Sequence, residues 1–163
     1  MPLRDVSQPF VMTLGDKLAT DALAVRLALL AAVGDIVGLA GELGAGKTTF
    51  ARAFICARFG STEVPSPTFT LVQTYEGVGA PIWHFDLYRL QNSEEIYELG
   101  IEEAFETAIS LIEWPEKMAG HEPPDWLELR LDPGDGEEAR SASLTPHGPR
   151  SADLLVGLMA VDG

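Results

Sequence analysis

The sequence predicts an α/β fold with a mixed, mainly parallel central sheet and an antiparallel C-terminal part. Three observations carry that prediction. Ile36–Ala40 and Ala108–Ile112 are short apolar runs of the kind that form buried strands. A Gly-rich turn and then a helical pattern follow the first run directly, the strand–turn–helix order of an α/β unit. Trp126–Leu131 and Ala139–Leu144 alternate in character around a Pro- and Gly-containing turn, as a solvent-edged antiparallel pair does.

The chain has 163 residues, enough for one domain, 1–163, with a single substantial core. No apolar run approaches the ~20 residues of a membrane helix. Met1–Asp5 is not followed by the apolar stretch of a signal peptide, so a cytoplasmic protein is expected. Cys56 is the single cysteine, which rules out an internal disulfide and leaves an inert buried thiol as its expected role.

The elements follow in order. Phe10–Leu14 reads as an edge strand, and Gly15–Leu30 as a helix with Leu18, Ala22, Val25 and Leu29 on its apolar stripe. The strand Ile36–Ala40 leads into the turn. The helix after it, to Phe59, sets Phe50, Phe54 and Ile55 on one face and ends at Gly60. Ser61–Pro67 is an extended linker held out of helix by Pro65 and Pro67. Phe69–Tyr75 and Pro81–Phe85 form a hairpin around Gly77-Val78-Gly79 and end on Asp86. A helix starts at Glu94, capped by Asn92 or Ser93, and stops at Gly100. Residues 101–107 add a helical turn, the strand to Ile112 ends on Glu113, and Pro115 opens another turn. The C-terminal pair of strands and an apolar helix over 151–161 complete the chain.

The turn after Ala40 is where chemistry concentrates. Gly41, Glu42, Leu43, Gly44, Ala45, Gly46, Lys47 and Thr48 make a complete G-x-x-x-x-G-K-[ST] phosphate-binding loop, with Thr49 next. Successive backbone N–H groups must turn inward to form an anion nest, and glycine alone allows the angles and the close approach of phosphate. Lys47 supplies a point charge for the β- and γ-phosphates, and Thr48 a hydroxyl for Mg²⁺. The following helix aims its positive end at the same anion. A Gly-rich turn without a ligand is the alternative; the buried strand before it and the helix after it weigh against that. The fold class is therefore a P-loop NTPase-like three-layer sandwich.

Nucleotide hydrolysis on such a fold needs a carboxylate at the carboxyl end of a strand near the loop strand, to hold Mg²⁺ or its water shell. Asp86 and Glu113 each directly follow an apolar strand, although strand-end carboxylates are common. Thr68, in Ser66-Pro67-Thr68-Phe69, has the placement of a switch-loop hydroxyl that follows the γ-phosphate, or of a proline-stiffened connector. His84, His121 and His147 lie too far apart in sequence for metal-ligand spacing, and His84 is expected to pack within its strand. The net charge of −14, from 25 acidic and 11 basic residues, argues against direct nucleic-acid binding. It suits either plain solubility or a protein partner with a basic face.

Five blocks now resemble a known family. They are Gly41–Thr49, Pro65–Val72, His84-Phe85-Asp86-Leu87-Tyr88-Arg89, Glu95–Gly100, and Leu111–Lys117. In this order, across about residues 34–117, they look like TsaE, the bacterial ATPase that supports threonylcarbamoyladenosine formation on tRNA. The resemblance implies slow ATP hydrolysis with Mg²⁺, and docking onto a transferase made of TsaD and TsaB that does the carbamoylation chemistry. The ATPase would reset that complex between turnovers without touching tRNA. By resemblance, Lys47 binds phosphate, Thr48 and Glu113 hold Mg²⁺, Asp86 supports metal and water, Thr68 senses nucleotide, and Trp114 lies near the site.

Three other readings compete. A small-molecule or nucleotide kinase needs several lid arginines, and Arg89, Arg130, Arg140 and Arg150 are scattered. A GTPase needs an N-K-x-D guanine reader, and the single Asn, Asn92, does not provide one. A nucleotide-binding subunit without hydrolysis would have little use for Asp86 and Glu113.

Overall fold

The computed structural model describes residues 9–60, 64, 65, 67 and 70–161. Seven strands form one sheet: β1 (Phe10–Leu14), β2 (Ile36–Ala40), β3 (Val72–Tyr75), β4 (Ile82–Asp86), β5 (Ile109–Glu113), β6 (Trp126–Pro133) and β7 (Arg140–His147). Their spatial order is β1-β7-β6-β2-β5-β4-β3. The three central pairings, β6·β2, β2·β5 and β5·β4, are parallel; the flanking pairings are antiparallel. The expected mixed sheet is thus found, parallel in its middle.

Helices cover both faces. On one side α1 (Lys17–Leu30), α2 (Lys47–Phe59) and α4 (Pro149–Val161) enclose a core with Leu23, Leu27, Phe50, Phe54, Leu111 and Leu129. On the other, α3 (Ile101–Thr107) and the 3₁₀ turns Ser93–Leu99 and Pro115–Met118 enclose Phe85, Leu87, Ile96, Ile101, Ile112 and Met118. Every residue of β2 and β5 is buried, which explains the apolar run of β2 and the mostly apolar β5, broken by Ser110 and ended by Glu113.

Four expectations need correction. Leu18, Ala22, Val25 and Leu29 face outward, with Leu18 77% and Leu29 71% exposed. The buried side of α1 is Thr20, Leu23, Ala24, Leu27 and Ala28. This helix is apolar on both sides, so periodicity alone does not pick the inner one, and the small Ala24 and Ala28 fit the side that packs closely. Of the strand expected over Phe69–Tyr75, Phe69 lies outside the described residues and the strand found is Val72–Tyr75, because Leu71 takes a left-handed φ of 67° that interrupts extended backbone. The helix from Glu94 is a 3₁₀ turn, and Asn92 stands at its cap without a side-chain hydrogen bond. The C-terminal hairpin is interior: β6 pairs with β2 and β7 with β1, so β1 takes the edge. Cys56 is half-buried.

Two polar clasps hold the far end of the sheet. Arg150 donates from Nε and Nη2 to both Asp35 oxygens, at 2.9 and 2.8 Å, tying α4 to the residue before β2. Asp125 accepts from the N–H groups of Arg150 and Ser151, at 2.7 and 2.9 Å, and so satisfies the first turn of α4.

Candidate functional site

The site lies at the carboxyl ends of the parallel strands. β2 ends at Ala40, and the chain turns through Gly41–Gly46 into α2. Gly41 has φ 139°, and a Cβ there would stand 2.5 Å from the Leu131 carbonyl oxygen of β6. Gly46 heads α2 in the left-handed region, φ 101°, with no side-chain cap. Glycine is required at both points, and the helix's first N–H groups stay available to an anion. Glu42, Leu43 and Gly44 form the exposed rim.

Lys47 is buried, and its ammonium donates to the carbonyl oxygens of Gly41 and Glu42, the latter at 2.9 Å. It lies 3.9 Å from the centre of the Trp114 ring. Burial holds its pKa below 10.5, against the opposing pull of Glu113, Glu116 and Asp86. Trp114 occupies the left-handed region at φ 61° and leans on Tyr88, ring centres 5.0 Å apart.

Glu113 ends β5, the immediate neighbour of β2; Asp86 ends β4, one strand further out. Parallel register sets the two carboxylates side by side, Asp86 opposite Glu113, each 4% exposed or less. Thr48 Oγ1 donates to Glu113 Oε1 at 3.0 Å. Glu113 Oε2 lies 2.7 Å from His84 Nε2. Asp86 Oδ1 accepts from the Tyr88 N–H at 3.0 Å. An open cleft of about 360 Å³ joins Gly44, Lys47, Thr48, Asp86, Glu113 and Trp114. A second cavity of about 200 Å³ lies beside Ala45, Gly46 and Thr49, walled by Lys17, Thr20, Glu138 and Arg140.

The structure therefore brings Lys47, Thr48, Asp86 and Glu113 to one cleft, with the loop residues Gly41–Thr49 around it. Thr68 lies outside the described residues. Sequence reasoning missed two groups. Arg140 crosses from β7 and donates to the carbonyls of Ala45, Gly44, Glu137 and Ala139, at 2.8–3.3 Å, and nothing local in the sequence announces this. His84 does pack in its strand, but it also bonds Glu113. A signal for that existed, since residues two apart on a strand share a face and Asp86 follows His84 by two.

Comparisons with known proteins show the family. The model of the family described as threonylcarbamoyl adenosine biosynthesis protein TsaE matches residues 14–142. A tRNA threonylcarbamoyladenosine biosynthesis protein TsaE of Rickettsia conorii is 42% identical over 142 residues, covering 86% of this chain and 81% of that protein. The protein of the same name from Bacillus subtilis is 34% identical over 132 residues, covering 80% and 82%. The crystal structure of Bacillus subtilis YdiB superposes with a TM-score of 0.78 at 27% identity, covering 96% of this chain and 97% of that one. This chain belongs to the TsaE family.

Proposed function

We propose that this protein binds ATP with Mg²⁺ and hydrolyses it slowly, supporting repeated rounds of tRNA threonylcarbamoyladenosine formation by a transferase of TsaD and TsaB proteins. The observation that carries the reading is the meeting of the Thr48 hydroxyl and the Glu113 carboxylate at 3.0 Å, beside Lys47 and the loop amides.

The donor set fits magnesium. That ion takes hard oxygens, commonly one or two carboxylates plus substrate phosphates, and seldom an all-protein cage. Thr48, Glu113 and Asp86 offer such oxygens, and among the described residues no group of three or more His, Cys, Asp or Glu side chains forms a cage. When bound, the ion would neutralise charge on the β- and γ-phosphates. The chain's own groups do the rest. The loop amides and the start of α2 grip the phosphates. Lys47 exchanges its two carbonyl partners for phosphate oxygens. Thr48 and Glu113 would hold the ion, and Asp86 would support it and its water.

The test is ATP turnover with and without TsaD and TsaB, for the parent and for Glu113→Ala and Asp86→Ala. Each variant should keep nucleotide binding but lose at least ~10-fold in hydrolysis, about 1.4 kcal/mol of barrier, and fail in multiple-turnover modification. Full turnover in both would overturn the assignment.

A further inference from the structure

Glu113 has a partner that the loop chemistry does not call for. The His84 ring lies beneath the cleft with no exposed surface, and its Nε2 is 2.7 Å from Glu113 Oε2. A carboxylate oxygen accepts, so Nε2 carries the proton. The other ring nitrogen, Nδ1, is buried and has no hydrogen-bond partner among the described residues. A ring present for packing alone would do better as phenyl or an aliphatic side chain, which leaves no orphaned nitrogen. What imidazole adds at this position is one hydrogen bond to one oxygen of Glu113. The opposite oxygen, Oε1, is the one nearer the Thr48 hydroxyl, at 3.0 Å against 3.2 Å for Oε2.

We propose that His84 is a positioning residue for the metal carboxylate: it holds Glu113 Oε2 from below so that Oε1 stays turned to Thr48 and the cation. The proposal rests on the reading of Glu113 as a magnesium ligand. Its physical basis is general. A glutamate carboxylate on three rotatable bonds loses orientation when its outer partner is removed, and such partners commonly set metal affinity by 10–100-fold. His84 is fixed for this task by the sheet. It sits on β4 opposite Leu111, two positions before Asp86, so β4 sets both side chains on the same face of the sheet as Glu113.

The experiment separates metal from phosphate. His84→Phe and His84→Leu keep an apolar filling of the site and remove the donor, while His84→Gln keeps an N–H. ADP affinity is measured by calorimetry in excess chelator and again across a magnesium titration. In the donorless variants, chelator affinity should stay within about twofold of the parent, while the magnesium concentration for half-maximal effect rises about 10–100-fold. His84→Gln should recover part of that rise. An equal loss with and without magnesium would mean a structural role and overturn the proposal, as would an unchanged magnesium response. Glu113→Ala run in parallel separates the two ideas. If it shifts the magnesium response and His84→Phe does not, the His84 proposal alone falls. If Glu113→Ala shifts nothing, the metal reading of Glu113 falls and takes this one with it. Should the donorless variants not fold, the parent decides. Its slowly exchanging His84 Nε2–H resonance should move when magnesium is added to the ADP-bound protein, and no movement overturns the proposal.

Discussion

The ammonium of Lys47 sits over the Trp114 ring, 3.9 Å from its centre, while donating to two carbonyls of its own loop. The lysine is thus held at the mouth of the proposed phosphate site by a π face and two backbone oxygens. Each of these contacts is one that a triphosphate can replace with a stronger, charge-assisted hydrogen bond.

Lys47→Ala should leave the fold intact and cost ATP affinity about 1.5–3 kcal/mol, the worth of a hydrogen bond to a charged group. A pH dependence follows. The protonated lysine is the binding form, and burial lowers its pKa from 10.5. Affinity should therefore fall as pH rises, beginning at lower pH than an exposed lysine would allow. Calorimetry from about pH 7 to 10 checks this, and Lys47→Ala should flatten the profile.

Arg140→Ala removes the guanidinium that fastens Ala45 and Gly44 to the β6–β7 hairpin. The loop should loosen while the hydrophobic core stays folded. Amide exchange over residues 41–46 should quicken and ATP affinity should drop by about tenfold, near 1.4 kcal/mol. Unaltered exchange would show that the loop holds its shape without Arg140.

Leu27 and Leu29 form a control pair on α1. Leu27 is fully buried and Leu29 is 71% exposed. Leu27→Ala should cost about 2–5 kcal/mol in urea unfolding, and Leu29→Ala should stay within about 0.5 kcal/mol of the parent. The reverse order would restore the outward stripe to the core.

Asp125→Ala should weaken α4 by about 0.5–2 kcal/mol, as loss of a helix cap does. Burial pushes the Asp125 pKa up, but donors from Ser151 and Arg150 outweigh it and leave the carboxyl below 3.8. A depressed acid stabilises the fold above its unfolded pKa and loses that contribution as pH falls through the folded one. Parent and variant should differ at neutral pH and converge in strong acid, by denaturant titration at several pH values.

The parts of this molecule legible in its sequence are those with local causes. The Gly41–Thr48 loop, the buried β2 and β5, and the strand-end positions of Asp86 and Glu113 follow from spacing and apolar runs. The parts that were not legible depend on register and packing between distant segments. The inner face of α1 is decided by close approach, since both faces are apolar. β3 is shortened by one left-handed residue, Leu71, that no composition rule flags. Arg140 reaches the loop only because β7 lies two strands from β2, and His84 meets Glu113 only through the parallel pairing of β4 with β5.

The sheet order also governs when this protein can fold. β2 leaves the ribosome early, yet both strands that flank it, β5 and β6, come much later in the chain. At about 5–20 residues per second, its apolar edges wait several seconds for partners. The strand contributing the Leu131 carbonyl behind Gly41 arrives last of the three. A nascent or truncated chain ending before Trp126 would carry the complete loop motif but lack the strand that backs it. Competence for the proposed phosphate binding would therefore belong to the nearly finished polypeptide, and the exposed β2 is the segment a chaperone would have reason to meet first.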